Sequence, residues 1–246
     1  MIYIKCFFNS ELCYRILATL GLIINIVKFK KVMIMGREFV ELFEEWSEYY
    51  DDTVSGYDKE YRDVFHGYEQ ILKEVVNRSQ GHVLEFGVGT GNLTICLLKA
   101  GLSVTGVEPS ASMRRKAVEK LHGQIPILDG DFLEFPTHRQ IDTFVSTYAF
   151  HHLTDEEKEK AIVNYGKLLH RGGKIVFADT MYESKEAHQA AIQQAKDAGF
   201  LKLATDLSTE YYTTIPFLQK VLKENGFDAS FTRCNQFVWI VEAQKL

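Results

Sequence analysis

Between Glu85 and Gly91 the chain reads Glu-Phe-Gly-Val-Gly-Thr-Gly, with three alternate glycines. They follow a short apolar run, His82 to Phe86, and precede a stretch that reads as a helix from about Asn92 to Ala100, stopped by Gly101. Glycines between a strand and a helix let the backbone approach a ligand closely and bring the first helix N–H groups beside it. The unit then repeats. Ser103 to Val107 reads as a second strand, and Ser110 caps a helix with Met113, Ala117, Val118 and Leu121 on one face. Ile125 to Leu128, Ile141 to Ser146 and Lys174 to Ala178 read as three further strands. Thr154-Asp-Glu-Glu157 is a capping box opening a helix with Ala161, Ile162, Tyr165, Leu168 and Leu169 inside, closed by Gly172-Gly173. Strands alternating with helices of this length predict a doubly wound α/β domain, Rossmann-like, with a mostly parallel sheet. Its ligand belongs at the carboxyl ends of the strands.

Before this core, Phe39, Phe43, Trp46 and Tyr50 repeat at helical spacing, and Tyr57 to Ser79 reads as a second helix. After it come an Ala- and Gln-rich helix (about 184–198), a helix from Ile215 to Asn225 closed by Gly226, and two β-like runs, Asp228 to Arg233 and Phe237 to Glu242. The expected organisation is a helical cap (36–80), a ligand-binding core (81–180), an insertion (181–213) and a C-terminal helix with strands (214–246). The aromatic residues Trp46, Tyr49, Tyr50, Tyr57 and Tyr61 read mainly as core or lid packing, one or two of them bordering a cationic ligand.

Residues 1–34 read differently. Of these, 23 are apolar and they carry a net charge of +4, whereas the whole chain is −5, leaving −9 on residues 35–246. Their densest apolar stretch, Ile16 to Val27, spans about 18 Å as a helix, short of the ~30 Å hydrocarbon core. Lys28, Lys30 and Lys31 follow the apolar run rather than precede it, which is the wrong polarity for a secretory signal. The favoured reading is that translation starts at Met35; an interfacial anchor or an extra packed helix are the alternatives. The acidic body repels phosphate backbones and argues against nucleic acid as the main partner. Four cysteines with no C-x-x-C pair give neither a zinc motif nor a disulfide framework, so a cytoplasmic home and no metal are expected.

The identity of the ligand turns on charge. The dinucleotide fingerprint needs a third glycine where this chain has Asn92, and Glu85 beside a pyrophosphate is electrostatically unfavourable. A carboxylate there suits a cation, and S-adenosylmethionine (SAM) carries an ammonium and a sulfonium with no phosphate. The pattern E/D-x-G-x-G-x-G after the first strand resembles motif I of the class I SAM-dependent methyltransferases. Glu108, ending the second strand, stands where that family binds both ribose hydroxyls, and Asp131, after the third, where it binds the adenine amino group. From Met35 onward the chain is similar to the YrrT-type methyltransferases of bacilli.

The resemblance implies SAM as cofactor, with Gly87, Glu108 and Asp131 as its contacts, joined by Glu85 and Gly89 on the charge and glycine-loop arguments. It also implies an in-line methyl transfer at the exit of the fourth strand, Ser146-Thr-Tyr-Ala-Phe-His-His-Leu153. If that transfer uses a general base, the candidates are His151, His152 and Tyr148. The N-P-P-Y/F tetrapeptide of amino-methylating DNA enzymes is absent, and no proline precedes a cysteine. The expected acceptor is therefore a small molecule. Two other classes compete: a SAM-binding regulator or sensor without turnover, and an NAD-dependent oxidoreductase.

Overall fold

A computed structural model of the protein describes residues 50–246 apart from 55 and 138. The expected helix on Phe39, Phe43 and Trp46, and the expectations about residues 1–34 and Met35, lie outside the described residues. In chain order the elements are α1 (Tyr50–Val54), α2 (Tyr68–Arg78), β1 (His82–Phe86), α3 (Asn92–Lys99), β2 (Ser103–Val107), α4 (Ala111–Lys120), β3 (Ile127–Leu128) and β4 (Thr143–Thr147). A 3-10 turn (Phe150–His152) leads to α5 (Asp155–Leu168) and β5 (Lys174–Tyr182). Then come α6 (Lys185–Asp197), α7 (Leu201–Thr209), β6 (Thr213–Thr214), α8 (Ile215–Glu224), β7 (Phe227–Arg233) and β8 (Val238–Lys245). None of the described helices is long and apolar enough to cross a membrane.

The strands form one sheet in the order β3-β2-β1-β4-β5-β8-β7, with β6 alongside the end of β5. β1 to β5 run parallel to one another, while β8 is antiparallel to both β5 and β7. Alternate residues of each strand face opposite sides, so both faces of this mostly buried sheet carry apolar side chains. Val83, Val104, Val145, Val176 and Ile240 pack with Leu72, Val75, Leu93, Leu97, Leu203 and Leu207 from α2, α3 and α7. Leu84, Phe86, Phe144, Ile175 and Phe177 pack on the other side against Ile162 and Tyr165 of α5 and Leu218, Val221 and Leu222 of α8. Consecutive strands run outward from β1 on one side and from β4 on the other. The strand order thus reverses between β1 and β4, and open α/β sheets hold their ligands at the carboxyl ends of the strands at such a point.

Four expectations are corrected here. Tyr57 to Ser79 is not one helix: only Tyr68–Arg78 is helical, and residues 57–67 form turns. Gly67 stands at φ +76° ahead of the helix, and the carbonyls of Val64 and His66 accept from the Asn235 side chain at 3.0 and 2.9 Å. A distant residue thus takes carbonyls that a continued helix would need. Val118 and Leu168 were expected on buried faces but are exposed (43% and 37%). Leu168 is the last residue of its helix, and Leu169, just beyond it, turns into the core. The third strand is shorter than expected, at Ile127–Leu128, and the insertion holds a second helix, α7. The α7 start gives no local signal because its cap is remote: the Glu60 carboxylate accepts from the Lys202 and Leu203 amides at 2.8 and 3.2 Å.

Candidate active site

β1 ends in the glycine loop, and its geometry follows from the residue types. Gly87 sits at φ +64°, and a Cβ there would lie 2.8 Å from the Ala149 Cβ beyond β4. Only glycine meets both demands without strain, so the ends of β1 and β4 touch at this point. At Gly89 a Cβ would meet nothing within 4 Å, which leaves open space over the loop. Glu85 is buried, and its Oε2 accepts from the Thr94 hydroxyl of α3 at 2.6 Å. Burial pushes its carboxyl up to about 8 against the Thr94 hydrogen bond, with the Glu108 charge adding to the rise.

Glu108 follows β2 directly. One carboxylate oxygen accepts from the Gly89 amide and the other from the Ser110 amide, both at 2.9 Å. This carboxylate is buried, which raises its proton affinity against those two amides and Arg114. Arg114 does not cap the carboxylate itself; its guanidinium donates to the backbone carbonyls of Glu108 and Pro109 at 2.6 and 2.9 Å. Asp131 is also buried and organises the turn after β3, where its Oδ1 accepts from the Leu133 and Glu134 amides at 2.9 and 2.8 Å. The two carboxylates thus stand at the ends of adjacent strands, and Glu108 is hydrogen-bonded into the glycine loop after the first.

A further residue of this side had no signal in the sequence. Asp51 of α1 accepts from the Thr90 hydroxyl at 2.7 Å, the Asn92 side-chain amide at 3.1 Å and the Lys120 ammonium at 2.9 Å. Burial raises its pKa, but these three donors hold it below the ordinary value. The segment before the core is thereby latched onto the glycine loop.

The exits of β4 and β5 carry a second cluster. The His151 ring meets Asp179 of β5 through Nδ1 at 2.6 Å and Glu210 through Nε2 at 3.1 Å, and the His151 amide donates to the other Asp179 oxygen at 3.0 Å. Burial alone would lower its pKa, yet Asp179 and Glu210, one at each ring nitrogen, raise it to about 10. Glu210, although burial pulls it up, is held down at about 2 by His151. His152 lies 4.2 Å away, ring centre to ring centre, and burial together with the His151 charge lowers it to about 3. The Tyr212 hydroxyl donates to Glu210 at 2.8 Å, and its ring stacks on His151. Lys158 is buried beneath, its ammonium donating to the carbonyls of Leu153 and Tyr211; burial lowers it to about 8.

Tyr148 stands at φ +54° between the two sides, its ring packed on Phe65 and Tyr68 and its hydroxyl 3.4 Å from the Val64 carbonyl. Burial pushes its hydroxyl far up. Of the expected aromatic group, Tyr61 is core packing with its hydroxyl on Asp206, and Tyr57 is exposed. Asp179 and Glu210 had no signal as site residues in the sequence. Asp179 lies within an apolar strand, and Glu210 ends a helix that the pattern did not resolve.

Residues 83–173 match the model of a methyltransferase domain. An uncharacterized methyltransferase of Geobacillus kaustophilus is 58% identical over 212 residues, which are 86% of this chain and 99% of the relative. Another, of Bacillus cytotoxicus, is 57% identical over 211 residues, 86% of this chain and 100% of the relative. Human N-acetylserotonin methyltransferase in complex with SAM aligns with a TM-score of 0.61 at 14% identity, covering 87% of this chain and 59% of that one. Magnesium protoporphyrin IX methyltransferase of Synechocystis with bound S-adenosylhomocysteine aligns at 0.57 and 21%, covering 83% and 99%. At these identities the two structural likenesses are likenesses of fold.

Proposed function

The chain belongs to the family of these bacillar methyltransferases, and from that premise we propose that it moves a methyl group from SAM to a small-molecule acceptor held at the exits of β4 and β5. The observation that carries the cofactor side is the bracketed Glu108 carboxylate. Two backbone amides fix both of its oxygens at the mouth of the glycine loop, so it is oriented before any ligand arrives. A rigid carboxylate of this kind suits a pair of vicinal hydroxyls, and Glu108 is assigned to the ribose of SAM. Asp131, held by its turn, is assigned to the adenine amino group. Gly87 and Gly89 supply close backbone approach.

The residues fit a cationic cofactor better than a phosphate. Glu85 and Glu108 are both buried, and each favours its neutral form more than an exposed carboxylate does. A positive ligand relieves that cost, whereas a pyrophosphate adds to it. The same comparison sets aside the NAD reading. When bound, SAM supplies a methyl carbon activated by positively charged sulfur. The work left to the protein is to orient the acceptor and exclude water.

His151, His152 and Tyr148 were the candidates for a general base. Neither histidine is assigned that role: both ring nitrogens of His151 are occupied by carboxylates, and His152 is a buried neutral imidazole of very low basicity. Tyr148 packs the wall between the two sides. The acidic body supports a small acceptor over nucleic acid. Calorimetric titration with SAM, S-adenosylhomocysteine and NAD tests the reading. Micromolar binding of the two sulfur nucleosides and none of NAD is expected; binding of neither would overturn it. A methyl-acceptor screen with tritiated SAM then separates an enzyme from a sensor.

A further inference from the structure

We propose that His151, His152 and Glu210 form a binding site for one divalent transition-metal ion of the zinc class. One donor atom from each residue lies within 4.8 Å of the other two. No local pattern announces it, because two adjacent histidines follow β4 whereas the carboxylate follows α7, in the distant insertion.

The surroundings are those of a metal site more than of a chance cluster. A ligating imidazole commonly donates its other ring N–H to a carboxylate, carbonyl or water, which sets the tautomer and leaves the remaining nitrogen to the ion, whose binding displaces any proton that nitrogen carries. Asp179 does this for His151: Nδ1 lies 2.6 Å from one of its oxygens, and the His151 amide lies 3.0 Å from the other. Nε2 is thereby directed at Glu210, 3.1 Å away. Glu210 is oriented in turn by the Tyr212 hydroxyl at 2.8 Å. The nearby Lys158 spends its ammonium on the carbonyls of Leu153 and Tyr211. Two imidazoles and one carboxylate suit zinc, cobalt or iron(II) over magnesium or calcium, which want oxygen donors. Three protein donors also leave a coordination position for a further ligand.

The two histidines stand at the exit of β4, His151 five residues on from Ser146 and two past Ala149, which packs on Gly87. Where the methyltransferase reading holds, the ion would hold an oxygen, nitrogen or sulfur of the acceptor and lower its affinity for its proton. This answers the want of a general base among the nearby side chains. Only this use of the ion rests on that reading; the binding site does not.

The test is calorimetry on untagged, chelator-stripped full-length protein with zinc and, separately, magnesium. Cobalt(II) substitution followed by visible spectroscopy accompanies it. One zinc per chain with micromolar or tighter affinity, no magnesium binding, and cobalt d–d bands of four- or five-coordinate intensity are expected. His152→Gln and Glu210→Gln are each expected to weaken zinc binding at least tenfold, with circular dichroism showing that each still folds. Absence of zinc binding, or binding that both folded variants retain unchanged (zinc on cysteines elsewhere, for example), would overturn the proposal. Running SAM titrations on the same stripped sample separates the two readings. SAM binding without zinc sinks the metal site alone, and zinc binding without SAM sinks the methyltransferase reading alone.

Discussion

At the ends of β1, β2 and β3 every assigned group comes from the strand's own exit: Glu85 and Gly87 at β1, Glu108 after β2 and Asp131 after β3. At the ends of β4 and β5 the cluster is gathered from four separate places, namely the 3-10 turn, β5, the end of α7 and the segment that follows it. The first side is therefore built on short-range turn geometry, tied together by the Glu108–Gly89 and Asp51–Thr90 hydrogen bonds. The second is held by ion pairs among buried groups distant in sequence. Damage to the first should appear in cofactor affinity, and damage to the second in stability and turnover.

The largest effect is expected for Glu108→Ala. It removes a carboxylate assigned two charge-assisted hydrogen bonds, each worth roughly 1.5–3 kcal/mol, so SAM affinity should fall at least about a hundredfold by calorimetry. An unchanged Kd would take the ribose role from Glu108. Asp179→Asn comes next. Breaking one partner of a buried ion pair costs about 3 kcal/mol or more. The melting temperature should drop by several degrees while SAM affinity moves less than about threefold. A large loss of SAM affinity in this variant would break the comparison, because the two sides would then be one unit.

Gly87→Ala probes the seam where they meet. A left-handed φ costs roughly 1–2 kcal/mol for a residue with a Cβ, and the contact with Ala149 adds to it. Melting curves should show a loss of a few degrees, partly restored in the double variant Gly87→Ala/Ala149→Gly. Restoration of the whole loss would mean that the clash, and not the backbone, sets the demand for glycine.

Glu85→Gln is the smallest and the most dependent on pH. The folded-state pKa of Glu85 is raised to about 8, so the folded protein favours the protonated acid. Its cost is absent below the ordinary carboxylate range, grows as pH rises towards 8 and is fully present above it. The glutamine variant should therefore melt no higher than the native protein at pH 4.5 and a few degrees higher at pH 9. Saturating SAM should shrink that gap if its positive charges answer Glu85. A gap independent of pH would remove the raised pKa from the account.

Much of the first side was legible in the sequence. The glycine cluster, the Ser110 cap and the Thr154–Glu157 capping box all appear in the structure, because turn and cap chemistry is complete within a few residues. The reading failed where a remote residue supplied what the chain next door usually supplies. Asn235 holds the carbonyls of Val64 and His66, which leaves residues 57–67 as turns, and Glu60 caps α7. Asp51 on the glycine loop belongs to the same class.

By itself, then, the sequence determined an α/β sheet with a glycine loop after its first strand and carboxylates at its strand ends, since periodicity, caps and turns are written in neighbouring residues. The tertiary structure alone decided that His151 stands between Asp179 and Glu210 and that the insertion closes over the exit of β4. Those contacts gain their strength from burial of charges brought together by the fold, and burial is a property no short stretch of chain carries.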